Sequence, residues 1–188
     1  MENLNTLYLV TVPQGPIIKI AQGIQTYLAD IYKIYDGNKP PLHMTIEVIK
    51  YKKKEAINLL LAELNEICSQ HSKFKVLAKG FSCFKSPYKS VNIHIEPSKE
   101  LLSLSNQINK TLKSKGFLVR NSPDDWKFHI TLVSTTFANR EWSEEEFQQA
   151  YNFLKNYDLE EEFEVESLQL WYPWYKPKLE IAAEFKLK

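Results

Sequence analysis

A four-residue motif occurs twice in this chain and constrains its fold more than any other feature. The copies read His-Met-Thr-Ile at residues 43–46 and His-Ile-Thr-Leu at residues 129–132. Each copy lies in an apolar run. Alternation along a β-strand places its histidine and threonine on one face and its aliphatic residues on the other. The motif therefore predicts two half-buried strands, each presenting an imidazole beside a hydroxyl.

Chance is a weak explanation for this repeat. A single His-x-Thr in a strand is usually an ordinary sheet residue. With eight threonines in the chain and 44% hydrophobic residues, a given histidine begins such a motif about once in a hundred. Two of the four histidines do so, which favours a shared functional role.

The order of predicted elements around the two motifs is also repeated. Apolar periodicity predicts strand, helix, motif strand, helix and strand, and then the same order again before a closing strand. The predicted strands span 7–12, 41–49, 74–84, 91–95, 126–133, 163–172 and 179–187, and the predicted helices 16–31, 54–70, 98–116 and 143–157. We expect one domain over 1–188, with pseudo-symmetric lobes at about 1–88 and 89–188 and a groove between them.

Composition limits the classes of function. No run of eighteen apolar residues predicts a membrane span, and the N-terminus does not resemble a signal peptide. Cys68 and Cys83 alone suggest reduced thiols and a cytoplasmic protein. The net charge of +1 argues against a general nucleic-acid coat, although residues 1–89, with 12 Lys and seven acidic residues, suit a small phosphate-bearing ligand.

Two imidazoles and two hydroxyls around one small anion suit phosphodiester chemistry. A neutral imidazole can remove a proton from a 2′-hydroxyl or water, while a protonated one gives a proton to the leaving oxygen. The threonine hydroxyls can hold the non-bridging phosphate oxygens in line. Which histidine is the base is left open by the sequence.

A metal site is the competing use of these histidines. The chain has no His-x-His, no His-Glu-x-x-His and no paired cysteines. Asp124 and Asp125 precede His129, but an acidic pair in a loop is usually solvated or caps a turn. We therefore expect no metal and no cofactor.

Aromatic residues in turns are weaker candidates for substrate binding. Tyr88, Trp174 and Tyr175 could stack on a base, although packing over the end of a hairpin is an equally good interpretation. Trp126 and Trp171 are expected in the core. Among the remaining histidines, His94 is predicted to face solvent, with the groove as the alternative, and His71 to lie near a helix end.

The two motifs, their spacing and the doubled element order resemble the 2H phosphoesterases over the whole chain, most closely the LigT-like branch of 2′-5′ RNA ligases and RNA 2′,3′-cyclic phosphodiesterases. The resemblance implies an α+β bilobal fold, with antiparallel sheets lining a central groove and helices outside. It also makes His43 and His129 the catalytic acid–base pair and Thr45 and Thr131 the phosphate ligands.

The activity implied by this resemblance is metal-independent hydrolysis of RNA 2′,3′-cyclic phosphate ends or 2′-5′ linkages in RNA processing, with RNA ligation as its reverse. The partner is then an RNA end or a small 2′-5′ or cyclic nucleotide bound by a monomer. One alternative is hydrolysis of signalling oligonucleotides, such as 2′-5′ oligoadenylates or cyclic oligonucleotides. Another is a nucleotide- or RNA-binding module without turnover.

One position departs from the pattern of this branch. Many LigT-like members carry Arg five residues after the second motif histidine, where this chain has Ser134. Lys127, Arg140 and Lys176 are the basic residues that could replace it. Together with the aromatic residues in turns, these positions give the expected substrate-binding residues: Tyr88, Lys127, Ser134 and Tyr175.

Overall fold

The computed structural model describes residues 4–53, 55–121, 126–175 and 178–188. Strands and helices follow the repeated order that the sequence predicts. The strands are β1 (Asn5–Thr11), β2 (Met44–Tyr51), β3 (Phe74–Phe84), β4 (Ser90–Glu96), β5 (His129–Ser134), β6 (Glu160–Val165), β7 (Ser167–Trp171) and β8 (Ile181–Lys186), and the helices are α1 (Pro16–Tyr32), α2 (Ala56–Gln70), α3 (Lys99–Ser114) and α4 (Glu144–Lys155).

Serine caps fix the starts of the two helices in the second repeat. The Ser98 hydroxyl accepts a hydrogen bond from the Leu101 amide at 3.2 Å, so α3 begins at the next residue. Ser143 and Glu146 form a reciprocal capping box at α4. Each cap satisfies amides that the first helical turn leaves without a partner.

All eight strands form one antiparallel sheet in the order β6-β3-β4-β5-β2-β1-β7-β8. The motif strands β2 and β5 are its centre, joined by the single residue pair Met44 and Ile130. The predicted α+β fold is confirmed, and the two antiparallel sheets it implied are halves of one curled sheet. One half holds β1, β2, β7 and β8, and the other holds β3 to β6.

This division of the sheet does not follow the chain halves. Strand β3, from the first half of the sequence, pairs with β4, while β7, from the second half, pairs with β1. Each half of the sheet therefore contains strands from both of the proposed lobes, 1–88 and 89–188. A boundary near residue 88 stays a prediction.

The prediction of one strand over 163–172 is wrong. The segment forms β6 and β7, separated at Glu166. Strand β6 pairs with β3 at one edge of the sheet, and β7 pairs with β1 in the other half. One continuous strand cannot pair at both places, so the backbone must change direction between them.

The C-terminus links the two ends of the curled sheet. The Lys73 amide donates to the Lys188 carbonyl at 2.9 Å, and the Lys188 amide donates to the His71 carbonyl at 2.9 Å. The Leu187 amide donates to the Glu166 carbonyl, also at 2.9 Å. These bonds satisfy backbone groups near both edges of the sheet, where unpaired donors and acceptors would otherwise remain.

The motif strands alternate as the sequence predicts. The aliphatic residues of both motifs, Met44, Ile46, Ile130 and Leu132, have no exposed surface. The histidines and threonines between them are half-buried. Burying the aliphatic face in the continuous core fixes the register, because a shift by one residue would move these side chains to the other face.

Candidate active site

The two motifs meet at the centre of the sheet. Met44 lies opposite Ile130. Continuing this antiparallel register places His43 near Thr131 and Thr45 near His129. The structure thus brings the two predicted His-Thr pairs together in a crossed arrangement about a pseudo-two-fold axis.

The two imidazoles are held by the same local device. Nδ1 of His43 lies 2.8 Å from the Pro41 carbonyl, and Nδ1 of His129 lies 2.6 Å from the Lys127 carbonyl. Because a carbonyl only accepts, each Nδ1 carries a proton and donates it. Nε2 of each ring is then the atom available for proton exchange with a substrate.

Aromatic side chains pack against both imidazoles. The His43 ring lies against Trp171, with ring centroids 4.9 Å apart, and the His129 ring meets Phe84 edge-on at 4.8 Å. The Trp126 ring lies 6.4 Å from His129. These contacts restrict ring rotation and remove water from one side of each histidine.

Burial lowers the pKa of both imidazoles below the ordinary value of 6.5. The carbonyl that accepts from each Nδ1–H partly opposes this shift, because it favours the protonated ring. A positive charge on His129 lowers the pKa of His43 further, and one on His94 does the same to His129. The neutral form is therefore favoured at neutral pH, and a neutral imidazole is competent as a base.

A cavity of about 210 Å³ lies beside His43 and Thr131. Ser134 and Pro40 contribute to its lining. The rest of its wall is largely aromatic, formed by Tyr8, Tyr35, Phe137, Trp171, Tyr172, Trp174 and Tyr175. Flat aromatic faces near the His43 imidazole suit a ligand with its own planar ring.

A larger cleft of about 1000 Å³ adjoins this cavity. Trp171 and Tyr175 line both spaces, whereas polar side chains such as Gln22 and Gln25 line the cleft alone. Neither motif histidine borders the larger cleft. His43 and Thr131 do border the smaller cavity, so a ligand in that cavity reaches one residue of each motif, and the cleft is its outer extension.

A buried ion pair supports the motif strands from the helix side of the sheet. Glu47, on β2, has no exposed surface and accepts from Nε of Arg120 at 3.0 Å. The Arg120 guanidinium lies 4.2 Å from the centre of the Trp126 ring. The Trp126 indole in turn donates to the Thr45 carbonyl at 3.1 Å. This chain of contacts connects the two motifs beside the groove.

The predicted substrate-binding residues have different positions. Tyr175 and Ser134 line the aromatic cavity, and the Ser134 hydroxyl also accepts from the Thr136 amide at 3.2 Å. Lys127 is exposed and contributes its carbonyl to His129. Tyr88 is 67% exposed and does not line this cavity.

The proposed replacements for the missing arginine include one residue that is already engaged. Arg140 donates to Glu146 at 2.7 and 2.9 Å and to the Tyr32 carbonyl. Lys176 lies outside the described residues, as do Asp124 and Asp125.

Sequence reasoning missed several residues that border the site. Trp171 is buried, as predicted, but it packs on His43 instead of serving the core alone. Tyr8 and Tyr35 line the cavity from β1 and from the loop after α1. His94, predicted to face solvent with the groove as the alternative, lies opposite His129 and is half-buried. Only strand alternation hinted at Tyr8 and His94, since both precede buried aliphatic residues.

Two kinds of feature are absent from the described part of the chain. No cluster of three or more His, Cys, Asp or Glu side chains could hold a metal ion. No helix in these ranges has the length and apolar character needed to cross a membrane.

Several solved structures share this fold at low sequence identity. TT0787 of Thermus thermophilus has a TM-score of 0.68 and 16% identity, with 97% of both chains covered. E. coli LigT complexed with 3′-AMP has a TM-score of 0.65 and 12% identity over 99% of both chains. Usb1 of Kluyveromyces marxianus has a TM-score of 0.51 and 10% identity, again over 99% of both.

Comparison of the sequence with known protein families assigns the chain to a family. No curated protein is significantly similar to the chain. The family model described as the AKAP7 2'5' RNA ligase-like domain matches residues 10–178. The match includes both His-x-Thr motifs and most of the sheet. The chain therefore belongs to the AKAP7 2'5' RNA ligase-like domain family, within the 2H phosphoesterase superfamily.

Proposed function

We propose that the protein is a cytoplasmic, monomeric, metal-independent phosphodiesterase that acts on RNA 2′,3′-cyclic phosphate ends or 2′-5′ phosphodiester linkages. The observation that carries this proposal is the crossed pairing of His43 and Thr131 with His129 and Thr45 around the residue pair Met44 and Ile130. Two imidazoles with free Nε2 atoms can serve both sides of one phosphate.

In the proposed reaction of a cyclic phosphate, one neutral Nε2 accepts a proton from water as the water oxygen bonds to phosphorus. The other Nε2, protonated, donates its proton to the ribose oxygen as the bond from that oxygen to phosphorus breaks. Thr45 and Thr131 donate hydrogen bonds from their hydroxyl groups to the non-bridging oxygens and keep their protons. The two imidazoles end with exchanged protonation states, and solvent restores them.

The aromatic cavity supports a nucleotide as the substrate. A base can stack against side chains such as Trp171 or Tyr175 while its phosphate reaches His43 and Thr131. E. coli LigT, which shares the fold, was solved in complex with 3′-AMP. The adjoining cleft gives the rest of a chain somewhere to lie, which favours an RNA end over a compact signal that needs an enclosed pocket.

A substrate panel in excess EDTA tests this proposal. It comprises a 2′,3′-cyclic nucleotide, 2′-5′ and 3′-5′ dinucleotides, and a 2′-5′ oligoadenylate. We expect turnover of the cyclic nucleotide or the 2′-5′ dinucleotide to persist in EDTA and the 3′-5′ dinucleotide to remain intact. A strong preference for the oligoadenylate would move the assignment to signalling oligonucleotides.

Two outcomes of the panel would contradict the proposal. Activity that disappears in EDTA and returns with added divalent cations would refute a mechanism without metal. Tight binding of these nucleotides without turnover of any of them would point to a binding module.

A further inference from the structure

Strand β4 brings a third histidine to the groove. His94 lies directly opposite His129 in the antiparallel pair of β4 and β5. Its neighbours Ile93 and Ile95 have no exposed surface, so the His94 side chain projects from the same face of the sheet as the motif histidines. Directly opposed side chains have Cβ atoms about 5 Å apart.

The His94 ring differs from the other three imidazoles in its hydrogen bonding. The other three histidines each hold a hydrogen bond: His43 to Pro41, His129 to Lys127, and His71 to Gln107 at 2.8 Å. Within the described ranges, no side chain or backbone group hydrogen-bonds to His94. The described residues thus leave both ring nitrogens of His94 available to a bound ligand.

Asn92 gives an independent indication at the same place. It lies on β4 opposite Thr131 and beside Ser82 of β3. Its side chain has no exposed surface, and neither its amide nitrogen nor its oxygen has a partner among the described residues. Since buried amides in folded proteins are nearly always satisfied, a polar occupant of this flank is expected.

The corresponding flank on the other side of the motifs has a different character. There β1 places Val10 opposite Thr45, and Trp171 packs on His43. Phe84 of β3 packs on His129, so both sides of the groove carry aromatic rings, and the β4 side adds the polar side chains of His94 and Asn92. Such asymmetry suits a substrate with a base at one end and a charged or hydrogen-bonding group at the other.

We propose that His94 binds a second phosphate group of the nucleotide substrate, one strand away from the phosphate held between His43 and His129. Neighbouring strands lie about 4.8 Å apart, so the second phosphate belongs to an adjacent position of the same nucleotide chain. This inference rests on the proposed function. It predicts that nucleotides with a second, adjacent phosphate bind more tightly than nucleotides with one.

The charged residues near this flank do not oppose an anion there. Glu96 follows His94 on the same face, but its carboxylate lies 4.0 Å from the Lys79 ammonium. Lys79 also approaches Glu160 of β6 at 3.8 Å. Both acidic groups thus share a cation. His94 lies opposite His129 in the strand pair, and Asn92 precedes it by two residues on the same face of β4.

Calorimetric titration at low salt tests the subsite without relying on turnover. The probes are adenosine 3′-monophosphate, adenosine 3′,5′-bisphosphate and adenosine 2′,5′-bisphosphate. We expect the wild type to bind one bisphosphate about tenfold more tightly than the monophosphate. His94→Ala should abolish that gain while changing the affinity for the monophosphate less than about twofold. His71→Ala, a histidine outside the groove, is the matched control and should retain the gain.

Three results would overturn the inference. Equal affinity of the wild type for all three nucleotides would show that no second phosphate is recognised. A loss of affinity for monophosphate and bisphosphate alike in His94→Ala would indicate a structural role. Failure of the wild type to bind even the monophosphate would refute the proposed function as well. Failure of the subsite alone would leave binding of the monophosphate intact, so the two failures can be told apart.

Discussion

Replacing His43 or His129 with alanine is expected to lower kcat by about 10²–10⁴-fold, the contribution of general acid–base catalysis by one positioned side chain. The effect should fall on kcat more than on KM, because the proton transfers occur in the transition state. Steady-state kinetics on the preferred compound of the panel measure both constants.

The double variant sharpens this prediction. Because the two imidazoles act in one concerted step, His43→Ala combined with His129→Ala should lose little more than the worse single variant. His71→Ala should retain wild-type kinetics. If either motif variant kept more than about a tenth of wild-type kcat while remaining folded by circular dichroism, that histidine would not be an acid or a base.

Replacing Arg120 with methionine is expected to lower the free energy of unfolding by about 3–5 kcal/mol, because it leaves the buried Glu47 carboxylate without its cation. The side chains of Arg120 and Glu47 are only 10% and 0% exposed. The variant also loses the guanidinium hydrogen bonds to the Ile46 carbonyl at 2.6 Å and to Ser105 at 3.0 Å. Urea denaturation followed by tryptophan fluorescence measures the change.

Lys75→Met is the matched control for this prediction. Lys75 and Glu162 also form an ion pair, at 3.1 Å, but their side chains are 66% and 59% exposed. Such a pair contributes at most about 1 kcal/mol, since water and salt screen it. Equal losses of stability in Arg120→Met and Lys75→Met would contradict the role assigned to the buried pair.

The centre of the sheet could be predicted from the sequence because its determinants are local. Alternation within each motif decides which face is buried, and Met44 and Ile130 are indeed fully buried. The repeated order of elements predicted that the two motif strands lie together, and this prediction needed no information on long-range pairing. Ser98 and Ser143 likewise marked the starts of α3 and α4, because capping depends on the next three residues.

What the sequence could not predict depends on long-range pairing. The division of 163–172 into two strands at distant positions in the sheet follows from the curl of the sheet and not from residue type. The contact of Trp171 with His43 exists only because β7 pairs with β1. Strand alternation alone left His94 with two possible positions, solvent and the groove, because only its register against His129 places it beside a motif histidine.

The pH dependence of kcat/KM tests the central claim most directly, because it reports the ionisation of the two histidines in the free enzyme. One imidazole must be neutral and the other protonated. Burial lowers the pKa of both, so both limbs of the profile move to lower pH. We expect a bell with its maximum below pH 6.5 that persists in EDTA. A profile with a single limb, or a maximum on the alkaline side of neutrality, would contradict catalysis by this histidine pair.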